Sequence, residues 1–340
     1  MVIASLSGCG ASSGSGSTAA PAAGTTAAAA AAAETKAAGS AAASSGKKYK
    51  IAMVLDSSIS DGGWGASCYQ AMQDAAKEKG WETTYTDNVK QSDYATSFTD
   101  YCDQGYDLIF APGNQYSDAV SQVAKEYPDI KFCLLNGVIE TDNITSVMPD
   151  AEQIGYMAGA LAGLLSKSNS IGFIGGMELD TTKAKLDCYT KAAQKINSSI
   201  KVQSAYAGSF SDTAKGKEIA NTMIGSNGVD VLFGDASAVD AGARESCKDT
   251  GKCTDIGQPS DLGKADDTVI ACSVVTDNAA LVKQCMEDVE SGKYGNKTVK
   301  GNLENGCLSV GTFSTSLVSD ENQKKYKDYV DQIKAGTFMK

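Results

Sequence analysis

The run Ser60-Asp61-Gly62-Gly63-Trp64-Gly65 sets an aspartate three residues ahead of a tryptophan, where a short apolar stretch gives way to helical spacing. A flat indole beside a carboxylate can stack on an aromatic ligand while the acid accepts from the ligand's polar edge. Stacking of that kind contributes about 1–3 kcal/mol, by analogy with bases on aromatic side chains. The same residues also have a packing reading, with Trp64 as the first core residue of its helix and Asp61 or Ser60 as N-cap. Asn114, Gln115 and Tyr116 follow another apolar stretch and could line a site or start a helix. Glu178 and Asp180 precede a helical segment and could cap it. Asp235, in Gly234-Asp235-Ala236-Ser237, stands at the end of a third stretch. Two carboxylates such as Asp61 and Asp235 could serve glycosidic hydrolysis, which needs an acid and a base on opposite sides of the bond.

Other chemistries are excluded by composition. The chain has 340 residues and no histidine, which removes Ser-His-Asp and Cys-His nucleophile pairs and His-ligated zinc. Its 30 basic and 41 acidic residues give a net charge of −11, and without a basic cluster such a chain repels nucleic acid and anionic lipid. No Gly-x-Gly-x-x-Gly, phosphate-binding loop or calcium loop occurs, so neither a cofactor nor a metal is expected. The one Gly-x-Ser-x-Gly string, Gly10 to Gly14, lacks the strand and helix of a nucleophile elbow. Of 10 cysteines none forms a Cys-x-x-Cys pair. Cys133 and Cys272 read as small buried hydrophobes, and only Cys247 and Cys253 are close enough in sequence for a local disulfide.

The elements that would carry these residues alternate. Ile51–Leu55, Trp81–Tyr85, Asp107–Ala111 and Lys131–Leu135 read as strands, with helices over Trp64–Lys79, Tyr94–Cys102 and Asp118–Glu126 between them. A second series follows, with helices at Ala151–Leu165, Thr181–Ile196, Ala214–Ile224 and Ala236–Cys247. Its strands are Ser170–Ile174, Lys201–Tyr206, Val229–Phe233 and Thr268–Val274. Helices at Asn278–Glu290 and Asn322–Ile333 and a strand near Leu308–Phe313 are left over. Such alternation argues two doubly wound α/β lobes, whose polar loops at the carboxyl ends of the strands form the ligand crevice. The predicted organisation is lobe 1 at 47–147, lobe 2 at 148–267, and elements completing both lobes at 268–340.

Ahead of the lobes, residues 1–9 end in Leu6-Ser7-Gly8-Cys9, similar to the lipobox at which bacterial lipoproteins are acylated. The basic and apolar regions of a signal peptide are short here, as from a late start codon or trimming. Residues 10–46 are almost wholly Ala, Ser, Gly and Thr, a composition expected of a disordered tether. No stretch reaches the ~18 apolar residues of a transmembrane helix, so a lipid on Cys9 would be the membrane attachment.

The stretches Asn136-Gly137 through Val147, Glu152 to Ala160, Ile171 to Glu178 and Ala207 to Glu218, with Tyr127 to Phe132, resemble the basic membrane protein family of lipoproteins. The resemblance runs in order from about Lys48 to Phe313. It implies a type I periplasmic-binding-protein fold, two α/β lobes on a hinge of crossing strands. It further implies a receptor that hands purine nucleosides to an ABC importer. The family's Asp-Asp-x-Ser-Phe-Asn motif matches here at Asp61 and Trp64, with Ser60 and Gly65 in place of the first Asp and the Asn. Its Gly-Val-Asp-x-Asp corresponds to Gly257-Gln258-Pro259-Ser260-Asp261, where Asp261 keeps the second Asp and Pro259 replaces the aspartate expected at ribose. Asp235 is an acid where the family usually has glycines, and the Trp-Gly pair is similar to the branch that includes Med-type regulators.

Together these readings predict a lipid-anchored receptor on the extracytoplasmic face of a bacterial cell membrane. It would bind a small polar aromatic ligand, a purine nucleoside or nucleobase foremost, through Asp61, Trp64, Asn114, Tyr116, Glu178, Asp235 and Asp261, and dock on an ABC permease. The alternatives are a carboxylate-driven envelope glycoside hydrolase and a ligand sensor without transport.

Overall fold

The computed structural model describes residues 47–340; Cys9 and the tether lie outside the described residues. The chain begins with β1 (Lys50–Val54), α1 (Trp64–Lys79), β2 (Glu82–Thr86), α2 (Tyr94–Asp103), β3 (Leu108–Ala111), α3 (Ser117–Glu126), β4 (Lys131–Leu135) and β5 (Ile144–Pro149). It continues with α4 (Ala151–Leu165), β6 (Ser170–Gly175), α5 (Asp180–Ile196), β7 (Lys201–Tyr206), α6 (Thr213–Asn227), β8 (Val231–Asp235), α7 (Ala238–Thr250), β9 (Thr254–Gly257) and β10 (Ile270–Thr276). Last come α8 (Asn278–Ser291), β11 (Lys297–Gly301), β12 (Leu308–Val310) and α9 (Asp320–Lys334).

The strands form two six-stranded sheets, ordered β11-β5-β4-β3-β1-β2 and β12-β10-β9-β8-β6-β7. All pairings are parallel except β10 with β12. Each sheet has apolar clusters on both faces, which is why β1, β3, β4 and β6 read as unbroken apolar runs rather than alternating ones.

The chain passes between the sheets at β5–α4, β10–α8 and β11–β12. At the first two passages an aspartate caps the next helix: Asp150 accepts from Glu152 and Gln153 N–H, and Asp277 from Ala279 and Ala280 N–H. The same residues tie the passages together, since Asp150 N–H donates to Gly301 O and Asp277 N–H to Cys307 O, each at 2.7 Å.

Three strands escape the sequence pattern. β5 carries Thr145 and Ser146 fully buried, because Ser146 Oγ donates to Ile139 O at 2.6 Å and Thr145 Oγ1 accepts from Gly295 N–H at 3.2 Å. Polar residues satisfied this way erase the apolar signature of a central strand. β9 is four residues long and contains the buried Asp255, and β11 is an edge strand with lysines at both faces of Val299.

Among the described residues the nine cysteines are free and buried. Cys247 and Cys253 share the core beneath α6 and α7 without a disulfide, and the neighbouring Cys253 thiol together with burial pushes Cys247 well up in pKa. Among the described residues no helix is long and apolar enough to cross a membrane.

Candidate functional site

Between the two sheets, at the carboxyl ends of their parallel strands, lies a cavity of about 950 Å³ including its open mouth. The first sheet contributes Asp56 after β1, Trp64 at the start of α1, Asn114 and Gln115 after β3, and Asn136 after β4. From the second come Thr182 and Lys185 of α5, Phe210 after β7, Asp235 and Ser237 around the end of β8, and Gln258 after β9.

Two aromatic side chains thus line one cavity from opposite sheets. Trp64 is half-buried, and its indole Nε1–H donates to Pro112 O at 2.6 Å, which fixes the plane of the ring. Phe210 sits against Gly176, where any Cβ would collide with its ring. Each ring is therefore placed by its contact with neighbouring backbone, Pro112 O for Trp64 and Gly176 for Phe210.

Lys185 reaches the cavity because α4 and α5 approach closely. Gly155, Gly159 and Gly163 recur every fourth residue on α4, and Cβ atoms at Gly155 and Gly159 would run into Lys185 O and Tyr189 O. Lys185 Nζ then meets Asp235 Oδ1 at 2.6 Å, the two side chains 12% and 16% exposed. Gln258 Nε2 donates to the same Oδ1 at 3.2 Å and to Gly234 O. On the opposite side Asp56 Oδ2 accepts from Gln115 Nε2 at 3.0 Å and Tyr94 O–H at 3.2 Å.

Of the residues expected from sequence, Trp64, Asn114 and Asp235 line the cavity, whereas Asp61, Tyr116, Glu178 and Asp261 do not. Asp61 accepts from Gly63 and Ala66 N–H through Oδ1, at 2.8 and 2.9 Å, and from Gly65 N–H through Oδ2 at 3.0 Å. It organises the first turn of α1, as a capping aspartate does. Tyr116 is fully buried; its hydroxyl accepts from Asp56 N–H at 2.7 Å, so it supports the loop that carries Asp56. Glu178 is exposed beside Lys183. Asp261 is occupied by Thr312, accepting from its N–H at 2.9 Å and from its hydroxyl at 2.7 Å. Gly65 has no room for the asparagine of the family motif, since a Cβ there would stand 2.5 Å from Ser57 Oγ. Asp56, Lys185, Phe210 and Gln258 line the cavity without a spacing that marks them in the sequence; Phe210 and Gln258 lie inside the family-like stretches Ala207 to Glu218 and Gly257 to Asp261, so their signal is there rather than in periodicity.

One further contact spans the cleft. Ser237, in the β8–α7 loop, donates its hydroxyl to Asp61 Oδ2 at 3.0 Å and accepts from Trp64 N–H at 3.1 Å. Its φ of 55° and ψ of −118° are unusual for a residue with a side chain, a conformation costing about 1–3 kcal/mol.

On the second-lobe side of the cavity lining, Asp240 of α7 is buried, accepting from Ala236 N–H at 2.9 Å through Oδ2. Its Oδ1 has no partner among the described residues. Burial pushes this carboxyl up to about 8, against the pull of Ala236 N–H and Arg244 toward the charged form. A folded value above the ordinary 3.8 means that the folded protein holds the proton more tightly. The stability this group contributes is complete below that ordinary value and is lost as pH rises through about 8. Asp255, also pushed up by burial, acts in the same direction. The melting temperature of the wild type relative to Asp240→Asn should therefore fall from about pH 5 to about pH 8 in scanning calorimetry. A difference that stays flat or grows with pH would contradict the assignment.

Two mainly parallel α/β lobes joined by crossing segments, with a cavity at facing strand ends, define the two-lobed periplasmic-binding-protein fold. A crystal structure of an ABC transporter solute-binding protein from Aeropyrum pernix has this fold, with a TM-score of 0.77 at 18% identity, covering 85% of this chain and 92% of that one. Residues 48–337 match the family model described as ABC transporter substrate-binding protein PnrA-like, and the chain belongs to that family. The ABC transporter nucleoside-binding protein BmpA of Lactococcus lactis is 34% identical over 306 residues, 83% of this chain and 87% of the relative. Transcriptional activator protein med of Bacillus subtilis is 24% identical over 301 residues, 87% of this chain and 92% of the relative.

Proposed function

We propose that the protein is a lipid-anchored extracytoplasmic receptor that closes its lobes on a purine nucleoside or nucleobase and delivers it to an ABC permease. The observation that carries this reading is the pair Trp64 and Phe210, lining one cavity from opposite lobes. A planar base between two aromatic faces gains on both sides, while Asp56, Asn114, Lys185, Asp235 and Gln258 offer donors and acceptors to its polar edges and sugar. The nucleoside-binding relative supports the same ligand class. Lobe boundaries at 47–147 and 148–267, with 268–340 completing both, fit this clamp, as does binding without bond making or breaking. As a hydrolase the site is poorly equipped: the Asp61 carboxylate is occupied by backbone N–H groups and Ser237, and Asp235 is ion-paired. The similarity to med favours one second reading, a sensor whose closed lobes signal instead of feeding a permease.

Titration calorimetry with inosine, guanosine and adenosine, with ribose as control, tests the ligand. One-to-one heats with at least one nucleoside are expected, and their absence from folded protein opposes the reading. The anchor is tested separately: Cys9→Ser removes the acylation nucleophile, so exported protein should move from the membrane to the soluble fraction. Retention on the membrane would show another attachment.

A further inference from the structure

We propose that Ser237 is the clasp that holds the two lobes closed, a positioning residue that sets how long a ligand stays rather than how it is first captured. The proposal rests on the solute-receptor reading only for its ligand arm. The clasp is a hydroxyl from the β8–α7 loop of the second lobe inserted into the first turn of α1 in the first lobe.

Three features converge on that hydroxyl. Trp64 is the first residue of α1, so its N–H has no partner within the helix and would otherwise face the cleft. Ser237 Oγ accepts from it at 3.1 Å. The same hydroxyl donates at 3.0 Å to Asp61 Oδ2, which is held in place by Gly65 N–H, so a fixed donor and a fixed acceptor on one lobe meet a single group from the other. Close approach is possible because residue 63 is glycine: a Cβ there would stand 2.8 Å from Ser237 Oγ and 3.0 Å from its Cα.

Backbone geometry points the same way. Ser237 holds φ 55° and ψ −118°, which glycine adopts freely and a serine does not. A residue kept in such a conformation is kept there by its contacts. The contacts of this side chain cross the cleft. Opening the lobes breaks both hydrogen bonds at once and releases the backbone. Closing re-forms them beside Trp64, whose ring lines the cavity, so ligand contact and lobe closure share one residue.

Affinity differences of this origin fall on dissociation, because the clasp forms after the ligand has entered the open cleft. The closed population is shifted by whatever the clasp contributes in that state alone. Removing a charge-assisted hydrogen bond together with a neutral one shifts that equilibrium by about tenfold or more.

Ser237→Ala and Ser237→Gly both delete the hydroxyl but act oppositely on strain, since alanine keeps it and glycine removes it. Amide hydrogen exchange by NMR on the full chain reads the clasp at one atom, the Trp64 N–H, with and without inosine. In both variants this amide should exchange about tenfold faster than in the wild type, while the Gly65 and Ala66 amides, held by Asp61 within the first lobe, keep their rates. Stopped-flow release of inosine should quicken by a similar factor with association unchanged. Equal Trp64 exchange in all three proteins under both conditions would overturn the clasp, as would faster exchange in the alanine variant only, which would assign the effect to strain. If inosine binds none of them, the ligand reading fails while amide exchange still decides the clasp.

Discussion

Trp64→Ala combined with Phe210→Ala is expected to weaken nucleoside binding by about 2–6 kcal/mol, the sum of two stacking contributions of about 1–3 kcal/mol each. The rings stand on different lobes and are held independently, Trp64 by Pro112 O and Phe210 over Gly176, so neither loss should be absorbed by the other. Both side chains are only half-buried, so the melting temperature should change far less than affinity. Trp64→Phe keeps a ring and should retain much of the binding. Calorimetry beside thermal unfolding separates the effects; normal affinity in a folded double variant would show that the aromatic walls do not hold the ligand.

Arg244→Ala should destabilise the second lobe by about 3–5 kcal/mol, the range observed when one partner of a buried ion pair is removed. Arg244 Nε meets Asp255 Oδ2 at 2.8 Å, and the Asp255 side chain is 5% exposed, so truncation strands a carboxylate in the core of β9. Burial already pushes the Asp255 carboxyl up, and Arg244 is what holds it back. Asp255→Asn in the Arg244→Ala background should recover part of the loss, because a neutral amide costs less to bury than an unpaired charge. Urea unfolding of the single and double variants measures both effects. A cost below about 1 kcal/mol for Arg244→Ala would mean that the pair behaves as a surface bridge.

The alternating α/β architecture is legible in the sequence because its central strands are buried on both faces. Ile51 to Leu55 and Lys131 to Leu135 have no polar residue to interrupt them after the first lysine, and the loops after them carry the site. β5 and β9 are illegible for the opposite reason: Thr145, Ser146 and Asp255 are buried like core residues but are satisfied by partners outside their own strands. The candidate site divides likewise. Trp64 announces itself by type and place, at a strand-to-helix turn. Lys185 does not, since as one of four lysines on α5 it reads as a solvated charge, and its partner Asp235 is 50 residues away. Asp61 is held by the N–H groups of Gly63, Gly65 and Ala66 and by Ser237, 176 residues on, and its spacing to Trp64 alone does not distinguish a ligand contact from a cap.

The central claim, that the lobes close on a purine nucleoside, is tested most directly by native mass spectrometry of the protein purified from cells in which it is exported. A folded species heavier than the chain by the mass of one nucleoside or nucleobase is expected, lost on denaturation and recovered as the free compound. Folded protein at its bare mass, which stays at that mass after incubation with inosine, guanosine and adenosine, would contradict it.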